Sequence, residues 1–173
     1  NHVREKDGLW AVLFWLQILA CRKCSVTDLI KSHWNDFGRN YYSRHDYESI
    51  PTDIAKQIYE NLGSLLPQLK NNRFANSIVI DADNFTYQDP VDKSVSKNQG
   101  LRIVLENNSR IILRLSGTGT KGSTLRVYFE KSCQNKEKLH LNPQIALNDL
   151  IKSLDDLLNI SKLTKMDRPT VIT

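Results

Sequence analysis

The stretch LRIVLENNSRIILRLSGTGTKGSTLRVYFE, residues 101–130, decides the fold. Leu101, Ile103 and Leu105 alternate with Arg102, Val104 and Glu106, the period of a strand with one buried face. Asn107-Asn108 supplies a hairpin turn, and Ile111, Leu113 and Leu115 resume the alternation on the way back. After a glycine-rich break the same period returns between Thr124 and Glu130, with Leu125, Val127 and Phe129 on one face. This pattern predicts antiparallel strands joined by short connections.

Working outward, Ser77–Asp81 reads as a further strand, followed by Phe85-Thr86-Tyr87 and a polar loop to Gly100. A helix is predicted from about Thr52 to Leu66, with Ile54, Ile58, Leu62 and Leu65 at helical spacing. Tyr41–Tyr47 is polar and aromatic and reads as an extended connector. Two helices are expected before it. Asp7 caps the first, whose Leu9–Leu16 run is apolar on every face and should therefore be buried. Ser25 starts the second, with Leu29, Ile30 and Trp34 as its packing side and Gly38 as its stop. At the other end, Pro143 opens a helix with Leu147, Leu150, Ile151, Leu154 and Leu158 as its stripe. The sum is an α+β fold, an antiparallel sheet with helices packed on one face.

The chain has 173 residues, 40% hydrophobic and 25% charged, which suits a globular protein with a real core. Its longest apolar run, Leu9 to Ala20, is interrupted by Gln17 and falls short of the roughly 20 residues of a membrane span. A net charge of +5 admits anionic partners. The positive residues are spread along the chain rather than banked on one helix, and no nucleic-acid-binding motif is present, so nucleic acid is not expected as a partner. Three cysteines, an odd count, fit a reducing compartment, and the expected location is cytoplasmic. Cys21 and Cys24 form a C-x-x-C without a thioredoxin-like context. Cys133 and His140 complete no common zinc pattern, so these read as ordinary thiols.

The glycine-rich break carries the chemistry. From Arg114 to Arg126 it holds three glycines and five serines or threonines between Ser116 and Thr124. Arg110 to Arg126 includes three arginines, one lysine and no acid, a local charge of +4. If Leu113, Leu115, Leu125 and Val127 face the core, Arg114 and Arg126 project from the opposite face on either side of the glycines. Planar guanidinium forks beside a flexible backbone are what a phosphate clamp requires. Gly117-x-Gly119-x-x-Gly122 also satisfies a dinucleotide-binding pattern. That fingerprint needs a helix after it, and here a strand follows. The order Lys121-Gly122 likewise fails the Walker A pattern. Asp81, Asp83, Asp89 and Asp92 read as turn residues rather than a Mg2+ site.

The string from Arg114 to Arg126 resembles the phosphate-binding loop in the last domain of phosphoglucomutases, in the α-D-phosphohexomutase superfamily. Residues 4–13, 34–40, 89–102 and 169–173 also resemble that family, in order along the chain, and they point to the eukaryotic-type glucose enzyme rather than a phosphomannomutase. The resemblance implies that residues 1–40 are the helical tail of a third, α/β domain. It implies that 41–173 are a C-terminal phosphate-binding domain with a TATA-binding-protein-like sheet. It also implies interconversion of glucose 1-phosphate and glucose 6-phosphate, with Mg2+ and glucose 1,6-bisphosphate as cofactors of the full-length enzyme. Arg114, Ser116, Gly117, Thr118, Gly119 and Arg126 match positions that hold the substrate's non-transferred phosphate, and Lys6 matches an active-site lysine. The family's phosphoserine, metal-binding and sugar-binding loops have no counterpart here. Partners are then a phosphorylated hexose and the remaining domains of the same chain, and the fragment alone is expected to be inactive. A second reading is a non-catalytic, parafusin-like paralogue with a phosphate-sensing or trafficking role.

Overall fold

The computed structural model describes residues 7–119 and 122–173. They form two compact units, one made of the described residues through Arg39 together with Gln134–Leu139, the other of Asn40–Cys133 and His140–Thr173.

The first unit contains α1 (Gly8–Arg22) and α2 (Val26–Phe37), which meet at a bend of 84°. Both helices begin where the sequence places a cap. Asp7 Oδ1 accepts from the Trp10 N–H at 2.9 Å, and Ser25 Oγ accepts from the Asp28 N–H at 3.1 Å. Gly38 ends α2 at φ +81°, its N–H on the Trp34 carbonyl. One expectation fails: no residue of α1 is buried, and Leu9, Leu13 and Leu16 are 81%, 66% and 56% exposed. An apolar helix is buried only where something covers it, and among the described residues nothing covers α1. Trp10 and Phe14 instead stack on each other, ring centroids 5.2 Å apart.

The second unit is built on a seven-stranded sheet, in the order β2-β3-β6-β7-β8-β1-β9. Its strands are β1 (Arg39–Ile50), β2 (Arg73–Phe74), β3 (Ser77–Asn84), β6 (Leu101–Leu105), β7 (Arg110–Gly119), β8 (Gly122–Cys133) and β9 (Val171–Ile172). A separate two-stranded ribbon pairs β4 (Tyr87–Gln88) with β5 (Val95–Ser96). One face of the sheet is covered by α3 (Thr52–Leu69), α5 (Asn148–Leu158) and α6 (Ile160–Thr164), with the short α4 (Pro143–Ala146) leading into them. The expected α+β architecture holds.

The core explains the pairing. Ala55, Ile58, Leu62 and Leu66 line one side of α3 and meet Ile103, Leu105, Ile111, Leu113, Leu125, Val127 and Phe129 of the sheet. Leu150, Leu154 and Leu158 of α5 close the layer. Three details depart from the sequence pattern. Helix α3 runs past Pro67 to Leu69: the proline forfeits the N–H bond to the Gly63 carbonyl, but Leu66 and Leu69 on either side of it still pack against the core. The single helix expected from Pro143 is two, α4 and α5, meeting at Leu147. Tyr41–Tyr47 is no connector but part of β1, pairing with β9 through His45↔Ile172 and Asp46↔Val171. Its inward residues include Ser43 and His45, polar groups that hide the alternation. Gln144 supports both, donating to Ser43 Oγ at 2.8 Å while its carbonyl oxygen lies 2.9 Å from His45 Nε2.

Candidate functional site

The ladder between β7 and β8 continues into the glycine-rich segment rather than ending before it. Leu113↔Val127, Arg114↔Arg126, Leu115↔Leu125 and Ser116↔Thr124 are paired in register, and Gly119↔Gly122 closes the described part of the hairpin. Between the last two pairs, Gly117 and Thr118 stand against Ser123 alone. This is a β-bulge, and Gly117 adopts φ +74° within it. Gly122, at φ +93°, lies against the backbone that leaves β1. A Cβ there would come within 3.0 Å of the Ile50 carbonyl oxygen. The next residue, Ser123, is fully buried and donates to Thr52 Oγ1 at 3.1 Å, fastening the hairpin to the start of α3.

Leu113, Leu125 and Val127 are buried under the helices, so Arg114 and Arg126 emerge on the opposite, open face. The two differ in surroundings. Arg126 forms a fork-to-fork pair with Asp46 of β1, from Nε to Oδ1 and from Nη2 to Oδ2, both at 2.8 Å. Arg44 approaches the same carboxylate, its Nε 3.4 Å from Oδ1. The hydrogen bonds to Asp46 raise the Arg126 pKa further above the ordinary arginine value, and Tyr128 adds to them. Arg114 is exposed, with its stem over Gly100, where a Cβ would stand 3.0 Å from Arg114 Cγ. The +4 counted along the chain is therefore reduced by a carboxylate contributed from a distant strand. Asp46 was invisible to a reading of the loop alone, because it is 80 residues from Arg126.

Beside Arg114, the open face holds a groove of about 870 Å3, lined among others by Tyr42, Arg44, Tyr87, Ile112, Arg114 and Tyr128. The other expected site residues fall as follows. Ser116 is exposed opposite Thr124; Gly117 and Thr118 form the bulge; Gly119 pairs with Gly122. Lys6 lies outside the described residues.

The remaining candidates dissolve into local structure. Asp81 and Asp83 are not in turns but in β3, where Arg102 binds Asp83 through two hydrogen bonds of 2.9 and 2.7 Å. Asp89 caps a tight turn, accepting from the Val91 N–H at 2.7 Å. No group of three or more His, Cys, Asp or Glu that could hold a metal ion occurs among the described residues, so their donor set does not fit Mg2+. None of the three cysteines is in a disulfide. No single helix among the described residues is long and apolar enough to cross a membrane.

A sheet domain whose open face carries an arginine-flanked, bulged hairpin has close counterparts among known proteins. The family model "Phosphoglucomutase-1, C-terminal domain" matches residues 39–170. The chain is 53% identical over its whole length to a phosphoglucomutase of Rhizobium radiobacter and 45% identical to phosphoglucomutase-1 of Oryctolagus cuniculus. It spans 32% of each of these relatives. Among solved structures, the open form of the exocytosis-sensitive phosphoprotein pp63/parafusin (phosphoglucomutase) from Paramecium is similar. It superposes on all of this chain, which covers 30% of it, with a TM-score of 0.87 and 42% identity. The chain belongs to the phosphoglucomutase-1 C-terminal domain family, so the family resemblance read from the sequence holds.

Proposed function

We propose that this chain is the C-terminal part of a phosphoglucomutase that interconverts glucose 1-phosphate and glucose 6-phosphate, and that its β7–β8 hairpin grips the phosphate that is not being transferred. The observation that carries this reading is the cross-strand pair Arg114↔Arg126 at the base of a glycine bulge, in a chain of this family. Arg114 and Arg126 supply the paired N–H donors. Ser116 adds a hydroxyl, and Gly117, Thr118 and Gly119 let backbone N–H groups turn toward the anion. Lys6 would be the active-site lysine that contacts the substrate.

Phosphoryl transfer depends mainly on positioning and charge stabilisation, so holding the distant phosphate orients the hydroxyl that reacts. The clamp must take phosphate from either end of the sugar, because glucose 1,6-bisphosphate turns over between half-reactions. Residues 1–40 are assigned to the tail of a third domain and 41–173 to the phosphate-binding domain. The other domains of the protein would cover α1 and supply the phosphoserine and Mg2+ loops. On its own this chain binds phosphate and turns nothing over. A cytoplasmic location is part of this reading; the two Solanum tuberosum relatives carry both names, cytoplasmic at 41% identity and chloroplastic at 45%.

The test is an amide NMR titration of the chain with glucose 1-phosphate, beside an Arg114→Ala, Arg126→Ala double variant. Saturable shifts confined to residues 114–126, and lost in the variant, are expected. Equal shifts in both proteins would sink the clamp.

A further inference from the structure

We propose that Asp46 is a positioning residue for phosphate binding: it fixes the Arg126 guanidinium edge-on, so that the clamp has one immobilised arginine and one, Arg114, that swings. This rests on the reading of the Arg114–Arg126 pair as a phosphate clamp.

Asp46 is an unusual neighbour for an anion site. Its side chain is 2% exposed beneath an Arg126 side chain that is 32% exposed. A carboxylate so close to a phosphate subtracts from the positive potential, and a buried ion pair is weak support for stability. Orientation accounts for both. The backbone of Asp46 is held in place by Thr170, whose N–H and hydroxyl both donate to the Asp46 carbonyl, at 2.9 and 2.7 Å. Asp46 is also in register with Val171 of β9. Its carboxylate then takes the Nε–H and one Nη2–H of Arg126. A guanidinium has five N–H donors, so three are not engaged by Asp46, two of them along the terminal Nη1–Nη2 edge. That edge cannot rotate without breaking two charge-assisted hydrogen bonds. The same carboxylate lets Arg126 stand opposite Arg114 before any anion arrives, offsetting a like-charge pair. Arg114, exposed and with its stem over Gly100, supplies the adaptable half.

The test pits geometry against charge. Inorganic phosphate and glucose 1-phosphate are titrated into the wild-type chain and Asp46→Asn, alone and combined with Arg126→Gln. Removing a negative charge would by itself tighten anion binding. A positioning role predicts the reverse, about ten-fold weaker binding in Asp46→Asn, the scale of one charge-assisted hydrogen bond. The change should vanish in the Arg126→Gln background. A second measurement needs no variant of Asp46. Guanidinium NMR of the wild type should show the Arg126 Nε–Hε signal unmoved at phosphate saturation while that of Arg114 shifts. Unchanged or tighter binding by Asp46→Asn, or an Arg126 Hε that leaves Asp46 for phosphate, overturns the positioning role alone. Absence of any phosphate binding by the wild type overturns the clamp and this inference together.

Discussion

Arg114 and Arg126 face one another directly across the β7–β8 ladder, yet among the described residues only Arg126 has a carboxylate, Asp46, bound to it by two hydrogen bonds. Like charges at directly opposed positions destabilise a sheet, by roughly the 0.2–1 kcal/mol that opposite charges would contribute. The same substitution at the two positions should therefore have opposite effects on stability. Arg114→Gln relieves repulsion and should raise unfolding free energy by up to about 1 kcal/mol. Arg126→Gln leaves the buried Asp46 carboxylate to its longer, 3.4 Å contact with Arg44 and should cost about 1–3 kcal/mol. Urea denaturation of both variants checks the signs. Both should lose phosphate affinity, which would mark Arg114 as a residue kept for binding at the expense of stability.

The hairpin's closing end depends on backbone proximity. Gly122 combines φ +93° with an approach in which a Cβ would stand 3.0 and 3.1 Å from Ile50 and Ser49 backbone atoms. Neither neighbour can move as a side-chain tip would. Gly122→Ala is expected to cost about 1–3 kcal/mol, the range for a strained backbone position. Gly63, in the interior of α3, is the internal control. An added Cβ there meets only Leu101 Cδ1 at 3.9 Å, an ordinary contact. Gly63→Ala should stabilise the protein by roughly 0.5–1 kcal/mol through helix propensity. Paired thermal melts should move in opposite directions.

Residues 101–130 disclosed the strands and the exit face of both arginines because Leu, Ile, Val and Phe fall at every second position within each strand there. The same rule failed at β1. Ser43 and His45 point inward, and their polarity is compensated by Gln144, a residue about a hundred positions away that local periodicity does not consider. Asp46 was lost for the same reason, since its meaning comes from Arg126 across the sheet. The burial of α1 was expected from its apolar content alone. It fails here because burial is a property of what lies opposite, and among the described residues α1 has no such layer.

His45 provides a pH readout of the β1 core. Burial pushes its pKa below the ordinary 6.5, against the opposing pull of the Gln144 hydrogen bond and the Asp46 charge. With the folded-state value depressed, the unfolded chain binds the proton more readily. Its stabilising contribution is full above about pH 6.5 and declines as pH falls from there through the folded-state value. His45→Gln keeps a donor for Gln144 and removes the titration. Denaturant midpoints measured between pH 8 and pH 5 should fall more steeply for the wild type than for His45→Gln. Parallel profiles would assign the acid sensitivity to other groups.

Helix α1 tests what its apolar surface is for. Leu13 and Leu16 are 66% and 56% exposed, and neither belongs to the core of the sheet unit. Replacing both with glutamine should leave the unfolding transition of the sheet unit within about 0.5 kcal/mol of wild type, as for surface positions generally. Exposed apolar patches of this kind drive association. In sedimentation experiments across a concentration series, the wild-type chain should therefore self-associate and the double variant should do so less. In a protein of the relatives' full length, where a third domain is proposed to cover this helix, the same double change acts on a buried contact. It should then destabilise by the several kcal/mol typical of core substitutions. A double variant that is equally harmless in both lengths would show that α1 is not an internal surface of the longer protein.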